Sequence, residues 1–227
     1  MLGLLQITLV DPIIFEAESF EIPEPESPDD NHGHSHQGWG PEDGFERTFY
    51  TLISNVFAAT GFAAVLLALM NLLALRNQGL TPQSNGLTQG VLWGLGGFAA
   101  VFLAPAIGLP PEIPGIEAPP IESRQTWWFL TVACVAFGIG LVAFAGGIKK
   151  LLGLVLVSIP FIVGAPAHEG PMFTHPDPAV VAALTNLHQS FIVASGVVNL
   201  MFWIALGIVT AMGFNRWLCP NQDIKTH

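Results

Sequence analysis

Three histidines fall at alternate positions, His32, His34 and His36, within the stretch DDNHGHSHQGWGPEDGFER that runs from Asp29 to Arg47. In an extended chain, alternation sets the three rings on one side. Asp29, Asp30, Glu42 and Asp43 accompany them. Imidazole together with carboxylate suits Co, Ni, Zn or Cu(II) rather than Ca or Mg. A His-rich tract beside acids is also a compositional sign of metal binding. The stretch is therefore expected to capture a divalent metal ion and pass it on, since nothing in its pattern builds a rigid structural site. The competing reading is a solvated polar loop whose histidines hold nothing.

A second candidate ligand set follows Pro166: His168, Glu169, His175 and Asp177, with Met172 among them and His188 further on. An ordinary polar loop is again the alternative, with His188 bonded to a backbone group near a helix end. The long apolar segments carry Ser54, Asn55, Asn71, Ser195 and Asn199. Asparagine can bond between helices or offer an oxygen to a passing ion. Asn55 and Asn199 are thus candidate transport-path residues, with helix packing as the alternative. No carboxylate or lysine lies deep in a complete apolar segment, and proton-coupled carriers keep such groups at their sites. Either a partner completes the pathway, or flux is passive. The chain has no G-x-x-x-x-G-K-[ST], G-x-S-x-G or H-E-x-x-H, so neither a P-loop nor a positioned nucleophile or zinc base points to an enzyme.

The elements that must hold these groups are greasy. Of 227 residues, 51% are hydrophobic and 11% charged; a soluble domain carries about twice that charge. Gly 24 and Trp 6 against Tyr 1 fit a bilayer, where small residues pack helices and Trp sits at interfaces. The expected class is all-α: a polytopic helical membrane bundle with five complete transmembrane helices plus a shortened N-terminal one. The net charge of -10 excludes nucleic acid as a partner and favours cations.

Residues 1–15 are apolar but short of the roughly 20 needed to span; they read as a partial first transmembrane helix ending near Asp11-Pro12, or as a half-inserted helix packed on the bundle. Residues 16–44 read as an extracytoplasmic His- and acid-rich loop, in which Pro23, Pro25 and Pro28 forbid a long helix. Residues 45–227 form the transmembrane bundle with a short cytoplasmic tail. Its expected spans are 45–75, with Asp43 as the cap, then 87–107, 125–146, a short one over 151–166, and 184–214. Gly86, Gly90 and Gly94, four apart, place one face where another helix can come close. Trp127 and Trp128 suit an aromatic belt. Glu46 and Arg47 read as a rim ion pair that orients the loop. Met70, Met201 and Met212 read as packing, and Cys134 and Cys219 lie at depths that make a disulfide unexpected.

Alternating the spans with the His loop outside gives the inner side Arg76, Lys149, Lys150, Arg216 and Lys225, and the outer side Arg47 and Arg124. That is the positive-inside distribution.

The order of motifs resembles the CbtA family, described as a predicted cobalt transporter subunit of bacteria. The resemblance rests on PIIFEAESFE (Pro12–Glu21), HSHQGWGPEDGFERTFYTLISN (His34–Asn55), GFAAVFLAPAIGLPPEIPG (Gly97–Gly115), RQTWW (Arg124–Trp128), IPFIVGAP (Ile159–Pro166) and NLMFWIALG (Asn199–Gly207). It implies a multi-pass inner-membrane protein that supplies cobalt for cobalamin synthesis. It also implies a small partner, CbtB, with one span and a His-rich end. The His-rich outer loop carries over as His32, His34 and His36. Nickel, zinc and copper remain open beside cobalt as the ion. A membrane metal sensor or scaffold remains the other class of function.

Overall fold

The computed structural model describes residues 2–20, 44–76 and 86–218. Among these it is all-helical, with a single isolated bridge, Ile116 to Phe173, in place of any strand. Two short helices open it, α1 (Leu2–Leu9) and α2 (Asp11–Glu18). Then come α3 (Phe45–Leu75), α4 (Gly86–Phe98), a π-helical turn (Ala99–Leu103), α5 (Ala104–Gly108), α6 (Ile121–Phe144), α7 (Ile148–Val163) and α8 (Pro178–Gly213), which ends in a second π turn (Phe214–Leu218).

Four of these stretches are long and apolar enough to cross a membrane: Phe45–Leu75, Gly86–Gly108, Ile121–Phe144 and Pro178–Leu218. The fifth expected span is α7. Its 16 residues make a rod of about 24 Å, against a hydrocarbon core of about 30 Å. Among the described residues the count of full-length spans is therefore four. At the other extreme, the 36 residues of α8 reach about 54 Å, so one end must stand clear of a bilayer core.

The Asp11-Pro12 pair breaks the N-terminal segment but does not end it. The chain is helical again from Asp11 to Glu18, because proline is tolerated in a first turn where its missing N–H has no partner to lose. Within the second span, Pro105 cannot donate to the preceding turn. The ladder adjusts there as the π turn, with the Ala104 N–H reaching back to the Ala99 carbonyl. At the start of α3 the capping residue is Gly44, with φ +100°, and no side chain bonds the helix end; the expected cap, Asp43, lies outside the described residues.

Two glycine seams draw the helices together. Gly90 and Gly94 of α4 face Gly207 of α8. A Cβ on any of the three would collide with the opposite backbone: Gly90 with Ile208, Gly94 with Trp203, Gly207 with Gly90. This is the close approach expected of that glycine spacing. Gly97 adds a seat for the Trp203 ring. The second seam joins α6 to α7, where a Cβ on Gly138 or Gly153 would stand 2.7 Å from the other's carbonyl oxygen.

Among the described residues, three apolar clusters hold much of the core. One joins Met70, Ala211 and Phe214 at the far end of α8. A second joins Ala100 and Ala104 to Val135 of α6. The largest gathers Val10 and Ala17 of the N-terminal helices, Ile113 and Phe173 of two connecting segments, and Leu184, Phe191 and Val198 of α8. Met70 packs as expected, 1% exposed, whereas Met201 and Met212 face outward.

Candidate functional site

The largest cluster marks the end of the bundle where the connecting segments meet. Its axis is the first half of α8. Asp177 caps that helix: its Oδ1 accepts from the Ala179 N–H at 2.8 Å, and Pro178 takes the first helical position. His175 folds into the same turn, its Nδ1 accepting from the Asp177 N–H at 3.0 Å. Both side chains, read from sequence as metal ligands, thus serve the local backbone.

His188 follows about three turns further along α8. It is 5% exposed, its Nε2 donates to the Pro111 carbonyl at 3.0 Å, and the Phe173 ring meets it edge-to-face with centroids 6.3 Å apart. His188 therefore touches both connecting segments, 109–120 and 164–177. Those two segments also hold each other: the Glu117 N–H donates to the Met172 carbonyl at 3.0 Å, beside the Ile116–Phe173 bridge. Arg124, in the first turn of α6, forms an ion pair with Glu112 and anchors the first segment to that helix.

The α1–α2 pair closes the remaining side. Arg47 of α3 pairs with Glu18 at 2.9 Å and lies over the Phe15 ring at 5.0 Å from its centroid. The rim ion pair expected of this arginine is thus made with Glu18. Deeper, the Asn55 amide donates to the Gln6 Oε1 at 3.0 Å. Gln6 was missed in the sequence, although it is the one carboxamide in an apolar start. Asn199 bonds within its own helix, to the Ser195 carbonyl at 3.0 Å. Ser195 is buried and Asn199 half-buried, while Ser54 and Asn71 face outward. Steps of seven and four residues put His188, Ser195 and Asn199 along one face of α8.

His168 and Glu169 are exposed, as is Met172. Among the described residues no three of His, Cys, Asp or Glu come together as a metal ion would require. No buried side-chain nitrogen or oxygen among them lacks a partner. His32, His34, His36, Asp29, Asp30, Glu42, Asp43 and Cys219 lie outside the described residues. Trp127 is not part of an exposed belt: it is 4% exposed, and its indole donates to the Pro160 carbonyl at 3.3 Å. The arrangement can seal one end of a helix bundle with apolar side chains and an imidazole, and place Ser195 and Asn199 further along the same face of α8.

Residues 1–215 match the family model described as "Probable cobalt transporter subunit (CbtA)". No curated protein matches the chain, and no solved structure does.

Proposed function

The chain belongs to the CbtA family, and from that premise we propose that it is the membrane subunit of a cobalt uptake system that serves cobalamin synthesis. The observation that carries this reading is the family match across nearly the whole chain, joined to four helices of membrane-crossing length. In this reading the chain lies in the bacterial inner membrane with the His-rich loop outside and the C-terminus in the cytoplasm. The distribution of lysine and arginine supports that orientation. His32, His34 and His36, with Asp29, Asp30, Glu42 and Asp43, capture the ion. His168, Glu169, His175 and His188 offer secondary contacts, and Asn55 and Asn199 border the path. The α7 hairpin crosses as a short fifth span, its mismatch taken up by local thinning of the bilayer.

Cobalt is cargo here, not a resident cofactor. Ligand type alone does not select it over nickel, copper or zinc, so selectivity rests on geometry. A small single-span, His-rich partner of the CbtB type completes the pathway, which fits spans that hold no Asp, Glu or Lys between their end turns.

The test is radiolabelled Co2+ uptake in cells carrying the chain and the small partner. His32, His34 and His36 changed together to Ala should lower uptake at least about tenfold at limiting Co2+, the loss expected when a capture site's differential affinity disappears. Uptake indifferent to all three substitutions would remove the capture loop from the scheme. The same uncharged spans favour a second reading, a non-transporting metal sensor or scaffold. It predicts metal binding without flux in vesicles that contain both proteins.

A further inference from the structure

We propose that Ile113 and Phe173 are the plug of an outer gate over the polar face of α8, latched by the bond from His188 to the Pro111 carbonyl. The inference deepens the transport reading above and rests on it for its purpose, not for its geometry.

Connecting segments normally run over a protein surface. Here two of them each bury a large side chain: Ile113 is 3% exposed and Phe173 is 4% exposed. Both enter the cluster formed by Leu184, Phe191 and Val198 of α8 and by Val10 and Ala17 of the N-terminal helices. On α8, His188 stands level with Phe173 and Pro111, and Ser195 and Asn199 follow about two and three turns further along the helix. The plug thus stands at the head of the line of polar groups that the last helix turns inward.

What holds the plug differs from what holds the helices. The segments meet through one bridge, Ile116 to Phe173, and the bond from Glu117 to Met172. Glu112 is tied to Arg124, and Pro111 to His188. All of these can release without parting a glycine seam. The latch also sits where it can sense cargo. His188 Nε2 cannot donate to Pro111 and coordinate a cation at once, because a coordinating nitrogen must offer its lone pair. A divalent ion that reaches this nitrogen frees Pro111 and with it the segment that carries Ile113.

The experiment locks the two segments. Glu117 and Met172 lie opposite each other beside the bridge and are both exposed, so Glu117→Cys with Met172→Cys can form a disulfide without touching the plug. The full-length background carries Cys134→Ser and Cys219→Ser, with Ser195→Cys as reporter. A membrane-impermeant maleimide is added to vesicles of both orientations, and modification at position 195 is read by mass spectrometry. The orientation used is the one in which the reduced position-172 thiol reacts. Reduction should speed labelling at position 195 by at least about tenfold over the oxidised lock, as for opening to a minor state. Equal rates in the two states overturn the gate.

Without the lock pair, His188→Ala should speed labelling several-fold, and His188→Gln, which keeps a donor for Pro111, should restore the parental rate. Indifference to both overturns the latch. Co2+ uptake by the parent chain is measured alongside. Its absence counts against transport, while the labelling ratio still decides the gate.

Discussion

The α4–α8 seam and the cap over the first half of α8 hold the same helix by opposite means. At the seam, Gly90, Gly94 and Gly207 bring two backbones together with no room for a Cβ. The attraction is dispersion over a close fit, the main force available between helices when the solvent is lipid. At the cap, shape is secondary. Pro111 is held by His188, Glu112 by Arg124, Glu18 by Arg47, and Asp177 holds the helix end. These are polar bonds, each worth on the order of 1 kcal/mol. A close-packed seam is all or nothing. A set of modest bonds can open one at a time, which is what the proposed gate requires.

The comparison breaks most decisively at Gly207. Gly207→Val forces a branched side chain into the Gly90 and Gly94 backbones, beyond the roughly 1–3 kcal/mol of ordinary overpacking. The expected outcome is loss of monodisperse protein after extraction in mild detergent, measured by size-exclusion chromatography. Gly61 on α3 is the control: nothing lies within 4 Å of a Cβ there, so Gly61→Val should stay within about 0.5 kcal/mol of the parent. A well-behaved Gly207→Val protein would mean that α4 and α8 are not locked by their backbones.

At the cap, Asp177→Ala removes one helix-capping bond. It should cost about 1 kcal/mol and lower the unfolding midpoint in detergent by ~2–4 °C for a chain of this size. An unchanged midpoint would return Asp177 to the pool of ligand candidates. Asn55→Ala is expected to be milder still, about 0.6 kcal/mol, the usual worth of an interhelical bond inside a membrane. Its decisive readout is Co2+ uptake. Uptake that falls far more than the midpoint shift explains would make Asn55 a path residue and not merely the partner of Gln6.

The glycine seam was legible because it depends on spacing alone: Gly86, Gly90 and Gly94 name one helix face whatever packs on it. The long spans were legible for the same reason, through unbroken apolar runs. The cap was not. Its bonds join residues far apart in the chain, His188 to Pro111 and Asn55 to Gln6, and periodicity carries no information about such pairs. Side-chain chemistry is ambiguous where one residue type serves two purposes. Asp177 followed by Pro178 has the pattern of a helix start, yet it stood among histidines and read as a ligand. Trp127 had the position of an interfacial tryptophan, but the proline in α7 gave its indole a buried carbonyl to bond. The bounds of α7 were read three residues late, 151–166 against Ile148–Val163, because Gly164-Ala165-Pro166 is apolar without being helical.

The finest separation between the two regions is in their response to salt. Arg124 and Glu112 keep 30% and 25% of their side-chain surface exposed, so the Coulombic gain is already reduced by solvent, to about 0.2–1 kcal/mol. Glu112→Gln should therefore lower the unfolding midpoint slightly at low ionic strength. In 1 M salt, where the Debye length is about 3 Å, the mutant and parent midpoints should converge. No charge takes part at the glycine seam, so the defect of Gly207→Val should be as severe in 1 M salt as in buffer. If salt leaves the Glu112→Gln deficit intact, the carboxylate is acting through shape and hydrogen bonding. The first connecting segment would then be held as rigidly as the helices it joins, and a gate that opens by releasing Glu112 would lose its basis.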